Sequence, residues 1–169
     1  MDEFSEQLWK ELFPSEDALL PPAPSSRDRA ERPLDHFTTP VLLERAAYLR
    51  KLAKLGDGSA SETLREYPQH SIMLSVRIRS GIAELHEDFA DLFFVLDGRA
   101  TLVTGGTVAD PTSIRPGETR GTAVTGGTPQ ELRAGDVAHV AAGIPHQMLL
   151  SGDKTLTCLV VKIQENQQD

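Results

Sequence analysis

The sequence predicts an all-β barrel or sandwich with helical material ahead of it. Two observations carry this. From Pro68 onward, apolar residues recur at every second position in short runs separated by glycine-rich turns. Before that point the apolar period is helical, most clearly over 40–55. The 169 residues then divide into an N-terminal helix with a proline- and serine-rich arm (1–33), a helix packing on the barrel (34–66) and the β-barrel itself (67–169).

Phe4, Leu8 and Leu12 recur every fourth residue, with Trp9 and Phe13 beside them and Pro14 closing the run. A helix this short is marginal alone and needs a surface to dock on. Residues 21–33 have linker composition. Over 40–55, Thr39 is placed to cap a helix and Pro40 suits its first position. Leu42, Ala46, Leu49 and Ala53 form the buried stripe, and 56–58, Gly-Asp-Gly, ends it. In 71–79, Ile72, Leu74, Val76 and Ile78 alternate with Met73, Ser75, Arg77 and Arg79; the two arginines are read as a solvated face, with contact to an acidic substrate as the alternative. Residues 91–96 and 99–103 flank Asp97-Gly98, a two-residue hairpin signal. Further strands are expected over 138–140, 147–150 and 156–163. Residues 104–127 hold six glycines and little periodicity, and read as a long excursion, a lid or a partner contact. Val103-Thr104-Gly105-Gly106-Thr107 recurs as Val124-Thr125-Gly126-Gly127-Thr128, a turn at each end of that excursion.

Composition narrows the function classes. The formal charge is −8, and no Lys/Arg cluster follows a phosphate backbone, which argues against nucleic-acid binding. Cys158 is the single cysteine, so no intrachain disulfide can form; its apolar neighbours make it a small buried hydrophobe. No apolar run approaches a bilayer span, and the N-terminus has no signal-peptide pattern. The expectation is a soluble cytoplasmic protein with no membrane partner.

Two stretches carry metal-ligand residue types. Residues 81–98 read G-I-A-E-L-H-E-D-F-A-D-L-F-F-V-L-D-G, and 135–146 read G-D-V-A-H-V-A-A-G-I-P-H. Glu84 and His86 lie two apart, on one face of a strand. Asp91 starts the next strand, and His146 follows a rigid proline turn. Imidazole and carboxylate together suit a divalent transition metal: zinc, manganese, iron, nickel or copper.

The pair of stretches resembles the two motifs of the cupin superfamily. Glu84 takes the first histidine position of the first motif, His86 the second, Asp91 the glutamate position, and Gly98 the closing glycine. In the second motif Gly135, Gly143 and His146 match, and Ala141 stands in the proline position. The resemblance covers about 68–163. It implies a double-stranded β-helix (jelly-roll barrel) with an N-terminal helical extension, a metal held by Glu84, His86, Asp91 and His146, and a homodimer. It further implies a metalloenzyme acting on a small polar or oxygenated molecule, as an oxygenase, isomerase or decarboxylase. Two carboxylates in place of the usual one shift preference toward harder metals. The alternative is a non-catalytic small-molecule-binding or sensory module without metal.

A rival register, His86-Glu87-Asp88 with His146, matches the His-x-Asp…His facial triad of iron oxygenases, but leaves Asp91 unused and has no arginine after His146. His139 reads as a hydrogen-bonded strand histidine, His36 and His70 as structural or surface residues, and Asp88 as a loop residue. Phe93 shares parity with Asp91 and is placed to line a pocket.

Overall fold

The computed structural model describes residues 34–165. The helix expected over 1–20 and the arm over 21–33 lie outside the described residues.

One helix, α1 (Thr39–Leu55), precedes the strands. Its buried residues are Leu42, Ala46, Leu49 and Ala53, the stripe the sequence marks. The cap lies one residue earlier than expected. Thr38 is the N-cap; its carbonyl accepts from Leu42 N at 3.0 Å, and its side chain makes no capping bond. Gly56 N donates to Leu52 O and the helix stops. The stripe packs on Leu64, Leu74 and Val76 of the sheet. Burying each leucine contributes about 1.5–3 kcal/mol. Arg45, paired with Glu62, ties the helix flank to the sheet edge.

Twelve strands follow: β1 (Ser59–Glu66), β2 (His70–Arg77), β3 (Ala83–His86), β4 (Phe89–Thr104), β5 (Thr107–Ala109), β6 (Thr112–Arg115), β7 (Glu118–Gly121), β8 (Ala123–Thr125), β9 (Thr128–Arg133), β10 (Val137–Val140), β11 (His146–Leu149) and β12 (Leu156–Gln164). All pairings are antiparallel. The sheet order is β1-β2-β12-β4-β11-β3-β7-β6, with β9 and β10 also on β4.

β4 is the shared strand. Its first half pairs with β10 and β12, and its second half with β9 and β11. The chain therefore curls at β4, and the two halves enclose a core of Val95, Ala100, Leu102, Leu132, Val140, Met148, Leu156, Cys158 and Val160. Asp97-Gly98 is consequently not a hairpin. The strand runs straight through it, and the register against β12 slips there. Glycine is required for a different reason than a turn. Gly98 has φ of 84°, and a Cβ on it would collide with the carbonyl oxygen of Thr155, which accepts from Arg99 N at 3.1 Å.

Two more expectations are corrected. β1 was unmarked in the sequence because of its eight residues only Leu64 is buried; it is a polar edge strand without alternation. The 104–127 stretch is not an irregular excursion. It contains β5 to β8, and β7 pairs along all four residues of β3. The echoed pentads face each other: Thr104 opposes Thr128, Thr107 opposes Thr125, and the Gly-Gly pairs between them carry the bend. Among the described residues no helix is long and apolar enough to cross a membrane.

Replacing Gly98 by Ala is expected to destabilise by more than about 2 kcal/mol, combining a left-handed conformation with a backbone collision. Gly152→Ala has a similar φ of 62° but open space around it, and should cost about 1 kcal/mol. Equal costs in urea unfolding would contradict the close-approach argument.

Candidate metal centre

Strand register builds the site. β3 lies between β11 and β7. His146 opposes Glu84 on one side, and Arg120 opposes Glu84 on the other. His86 opposes Glu118. Glu84 and His86 share parity on β3, so both face inward, as do Glu118 and Arg120 on β7. Across β4 and β12, Asp91 opposes Lys162.

All four residues marked in the sequence converge. Nε2 of His86 lies 3.4 Å from Glu84 Oε2 and 3.3 Å from Asp91 Oδ2. Nε2 of His146 lies 3.3 Å from the same Asp91 oxygen and 4.0 Å from Glu84 Oε2. Glu84, His86 and His146 place one ligand atom each within 4.8 Å of one another, a group that does not include Asp91. His86, Asp91 and His146 are buried.

The second ring nitrogen of each histidine is held from outside. His86 Nδ1 meets Glu118 Oε2 at 2.8 Å, and His146 Nδ1 meets the carbonyl of Ile144 at 3.2 Å. Donating Nδ1–H outward leaves each Nε2 lone pair facing the centre. His86 Nε2 is buried and has no aligned hydrogen-bond partner.

Three part-buried cations surround the carboxylates, and the exposed Arg115 reaches Glu118 from outside at 3.3 Å. Arg77 Nη2 lies 3.3 Å from Glu84 Oε1, and Arg120 Nη1 lies 3.2 Å from Glu84 Oε2. Lys162 Nζ donates to Asp91 Oδ1 at 2.6 Å. Arg120 Nη2 also reaches Glu118. Burial would push the Glu84 carboxyl up, but His86, Arg120 and Arg77 outweigh it and bring it down to about 2. Asp91 behaves likewise: burial opposes its charge, but His146, His86 and Lys162 hold it well below the usual carboxylate range. Burial pulls His86 down, while Asp91 and Glu84 outweigh burial and raise it to about 9.

Glu84, Asp91, His146, Arg77, Arg120 and Lys162 line a cavity of about 210 Å3, with His86 and Glu118 behind its wall. Ser61, Met73, Phe93, Met148, Leu156 and Val160 are among its other lining residues, beside the buried Cys158, whose thiol burial pushes up to about 12. Phe93 meets His146 edge-on with ring centroids 6.3 Å apart. Phe93 is thus a pocket residue, as its parity suggested. Arg77 is not on a solvated face: the side of β2 opposite α1 is the cavity wall, which Met73, Ser75 and Arg77 all line.

The rival register does not assemble. Asp88 is exposed and points toward Gly117, while Asp91 takes the place beside both histidines. His139 is exposed, 3.8 Å from Glu165, and away from the cavity. His70 stacks on Tyr67 with centroids 4.4 Å apart. Sequence reasoning missed Glu118 and Arg120. Their signal was present: Glu-Thr-Arg over 118–120 repeats the two-residue spacing of Glu84 and His86, inside a glycine-rich stretch that hid it.

A carboxyl whose folded pKa is depressed contributes stability above its ordinary value and loses it as pH falls. For Glu84 that window runs from 4.5 down to about 2. Metal-free wild type should therefore lose unfolding free energy across it more steeply than Glu84→Gln, read as urea midpoints at each pH. Parallel curves would show that the carboxylate is not held by these partners.

No family model and no curated protein matches the chain. Solved structures do. A predicted oxalate decarboxylase from Thermotoga maritima aligns at 16% identity and a TM-score of 0.47, covering 63% of this chain and 81% of that one. A protein with a double-stranded β-helix domain from Klebsiella pneumoniae aligns at 17% identity and 0.48, covering 64% and 78%. A cupin superfamily protein from Desulfitobacterium hafniense aligns at 18% identity and 0.44, covering 63% and 78%. Such low identities and TM-scores leave the assignment to the chain's own strand order. That order folds ten of the strands into one antiparallel sheet, with the two ligand-type stretches seated on β3, β4, β10 and the first residue of β11.

Proposed function

We propose that this protein binds a divalent transition metal through Glu84, His86, Asp91 and His146 and acts as a metalloenzyme on a small polar or oxygenated molecule. The observation that carries the reading is the spacing of the donor atoms. Ligands about 2.0–2.2 Å from one ion lie roughly 3.0–3.5 Å from each other. The carboxylate oxygens of Glu84 and Asp91 lie 3.3–4.0 Å from the two Nε2 atoms. Nε2 of His86, buried and without an aligned hydrogen bond, fits the same reading, since it stands between two carboxylate oxygens where an ion could replace its proton. The mixed nitrogen and oxygen donors suit zinc, manganese, iron, nickel or copper.

When bound, such a metal supplies Lewis-acid or oxygen-activating chemistry. The chain's own residues do the rest. Glu118 fixes the tautomer of His86 and orients its ring. Met73, Phe93, Met148 and Leu156 make one side of the cavity apolar and limit water beside the charged wall. Lys162 holds one oxygen of Asp91, leaving the other for the centre.

One observation favours a second reading, a binding or sensory module without metal. Arg77, Arg120, Lys162 and the exposed Arg115 already offset the charge of Glu84, Asp91 and Glu118. A charge-balanced site can persist unloaded.

Elemental analysis separates the two. Protein purified without a metal-affinity tag should carry about one equivalent of metal, and His86→Ala or His146→Ala should lose most of it. Full metal in both variants, or none in wild type, would overturn the assignment. A pH dependence follows as well. Metal requires a neutral His86, whose raised pKa of about 9 keeps it protonated below that point. Affinity should therefore rise about tenfold per pH unit from 7 toward 9, with about one proton released on uptake. Calorimetry in buffers of different ionisation enthalpy reads both.

A further inference from the structure

The carboxylates of the centre have a matching set of cations, and the cations line the cavity. Arg77, Arg120 and Lys162 are all wall residues of the same space as Glu84, Asp91 and His146. They are part-buried, with side chains 23%, 26% and 25% exposed. Two of the three are not fully engaged. The contacts of Arg77 and Arg120 to Glu84 and Glu118 are 3.2–3.4 Å, longer than the roughly 2.7–2.9 Å of a full charge-assisted hydrogen bond. Nη1 of Arg120 is buried with no aligned acceptor. A guanidinium carries five N–H donors, and contacts this long leave them poorly used.

Arg77 has space made for it. A Cβ on Gly81 would lie 2.7 Å from its Nη1, so the glycine leaves room for the head group at the cavity wall.

Charge then decides what the cavity takes. Glu84, Asp91 and Glu118 already meet at least as many cations: Arg77, Arg120 and Lys162 at the cavity and the exposed Arg115 behind Glu118. A divalent ion added to that set leaves at least two positive charges with no partner. Buried charge that is not compensated is expensive. The same metal would compete with Arg120 for Oε2 of Glu84, freeing guanidinium donors toward the cavity, while Arg77 and Lys162 stay on the outer oxygens of Glu84 and Asp91. Its volume of about 210 Å3 corresponds to about seven waters at ~30 Å3 each, and part of its wall is apolar.

We infer that the cavity takes a small organic dianion, gripped by Arg77, Arg120 and Lys162, and that metal and dianion bind with positive coupling. This rests on the proposed metal site and adds the substrate class to it. Coupling is reciprocal: the factor by which the anion tightens the metal is the factor by which the metal tightens the anion.

The test uses the full chain stripped of metal, Mn2+ as the ion and succinate as the dianion. Free Mn2+ is read by its room-temperature EPR signal, calibrated in the same succinate concentration without protein. Succinate should tighten Mn2+ by at least about fivefold, and the neutral diamide of the same length should not. Calorimetry of succinate with and without Mn2+ should return the same factor. In Arg77→Gln the coupling should fall, read as the ratio of Mn2+ affinities with and without succinate in that same variant; Lys162→Gln provides the second variant. Mn2+ binding with no succinate effect overturns this inference and leaves the metal site standing. An equal effect of the diamide also overturns it, because charge would not be the cause. No Mn2+ binding at all overturns both.

Discussion

Four residues of β3 govern the chemistry of this barrel. A strand alternates faces with a period of two, so once Glu84 points inward His86 must as well. The strand's two neighbours then set everything else by register. β11 brings His146 opposite Glu84, and β7 brings Arg120 opposite Glu84 and Glu118 opposite His86. A slip of one residue in either pairing would turn the partner side chains to the other face and dissolve the site. Register is held from outside the site by Gln147, which is buried and bridges three segments. Its Oε1 accepts from Val124 N at 3.0 Å, and its Nε2 donates to Gly81 O at 2.9 Å.

The same constraint explains what was legible in the sequence and what was not. The convergence of Glu84, His86, Asp91 and His146 was legible because they sit at short sequence distances on strands with clear parity, closed by glycines at 98 and 143. The helical stripe over Leu42, Ala46, Leu49 and Ala53 was legible for the same reason. The partners of the ligands were not. Glu118, Arg120, Lys162 and Arg77 reach the site through pairings 7 to 71 residues away in sequence, as between Arg77 and Glu84 or Asp91 and Lys162. Local periodicity carries no information about which strand lies beside which. Asp97-Gly98 misled in the opposite way. Its dipeptide fits a hairpin turn, but long-range pairing with β12 holds the strand straight and uses the glycine for a close backbone approach. Arg77 looked like a solvent residue because alternation shows two faces without saying that both are covered, one by α1 and the other by the cavity.

Glu84 and Asp91 stand where the resembled motif has histidine and glutamate, and the surroundings show how the barrel accommodates them. A carboxylate in place of a neutral imidazole adds one negative charge to a buried wall. That charge is costly unless a cation or several hydrogen bonds meet it. Glu84 is met by two arginines, one from β2 and one from β7. Asp91 has the shorter side chain, and the lysine opposite it on β12 holds its outer oxygen. The inner oxygen is thereby left between the two histidines. The substitutions therefore cannot be judged one residue at a time. Each carboxylate and its cation form a unit, contributed by adjacent strands at fixed register. Removing a cation alone would leave a buried anion uncompensated, and removing a carboxylate alone would leave a cation facing an apolar cavity. The histidine- and carboxylate-bearing half of this wall and its cation-bearing half are thus one electrostatic structure, and any ion entering it must be accounted for by both.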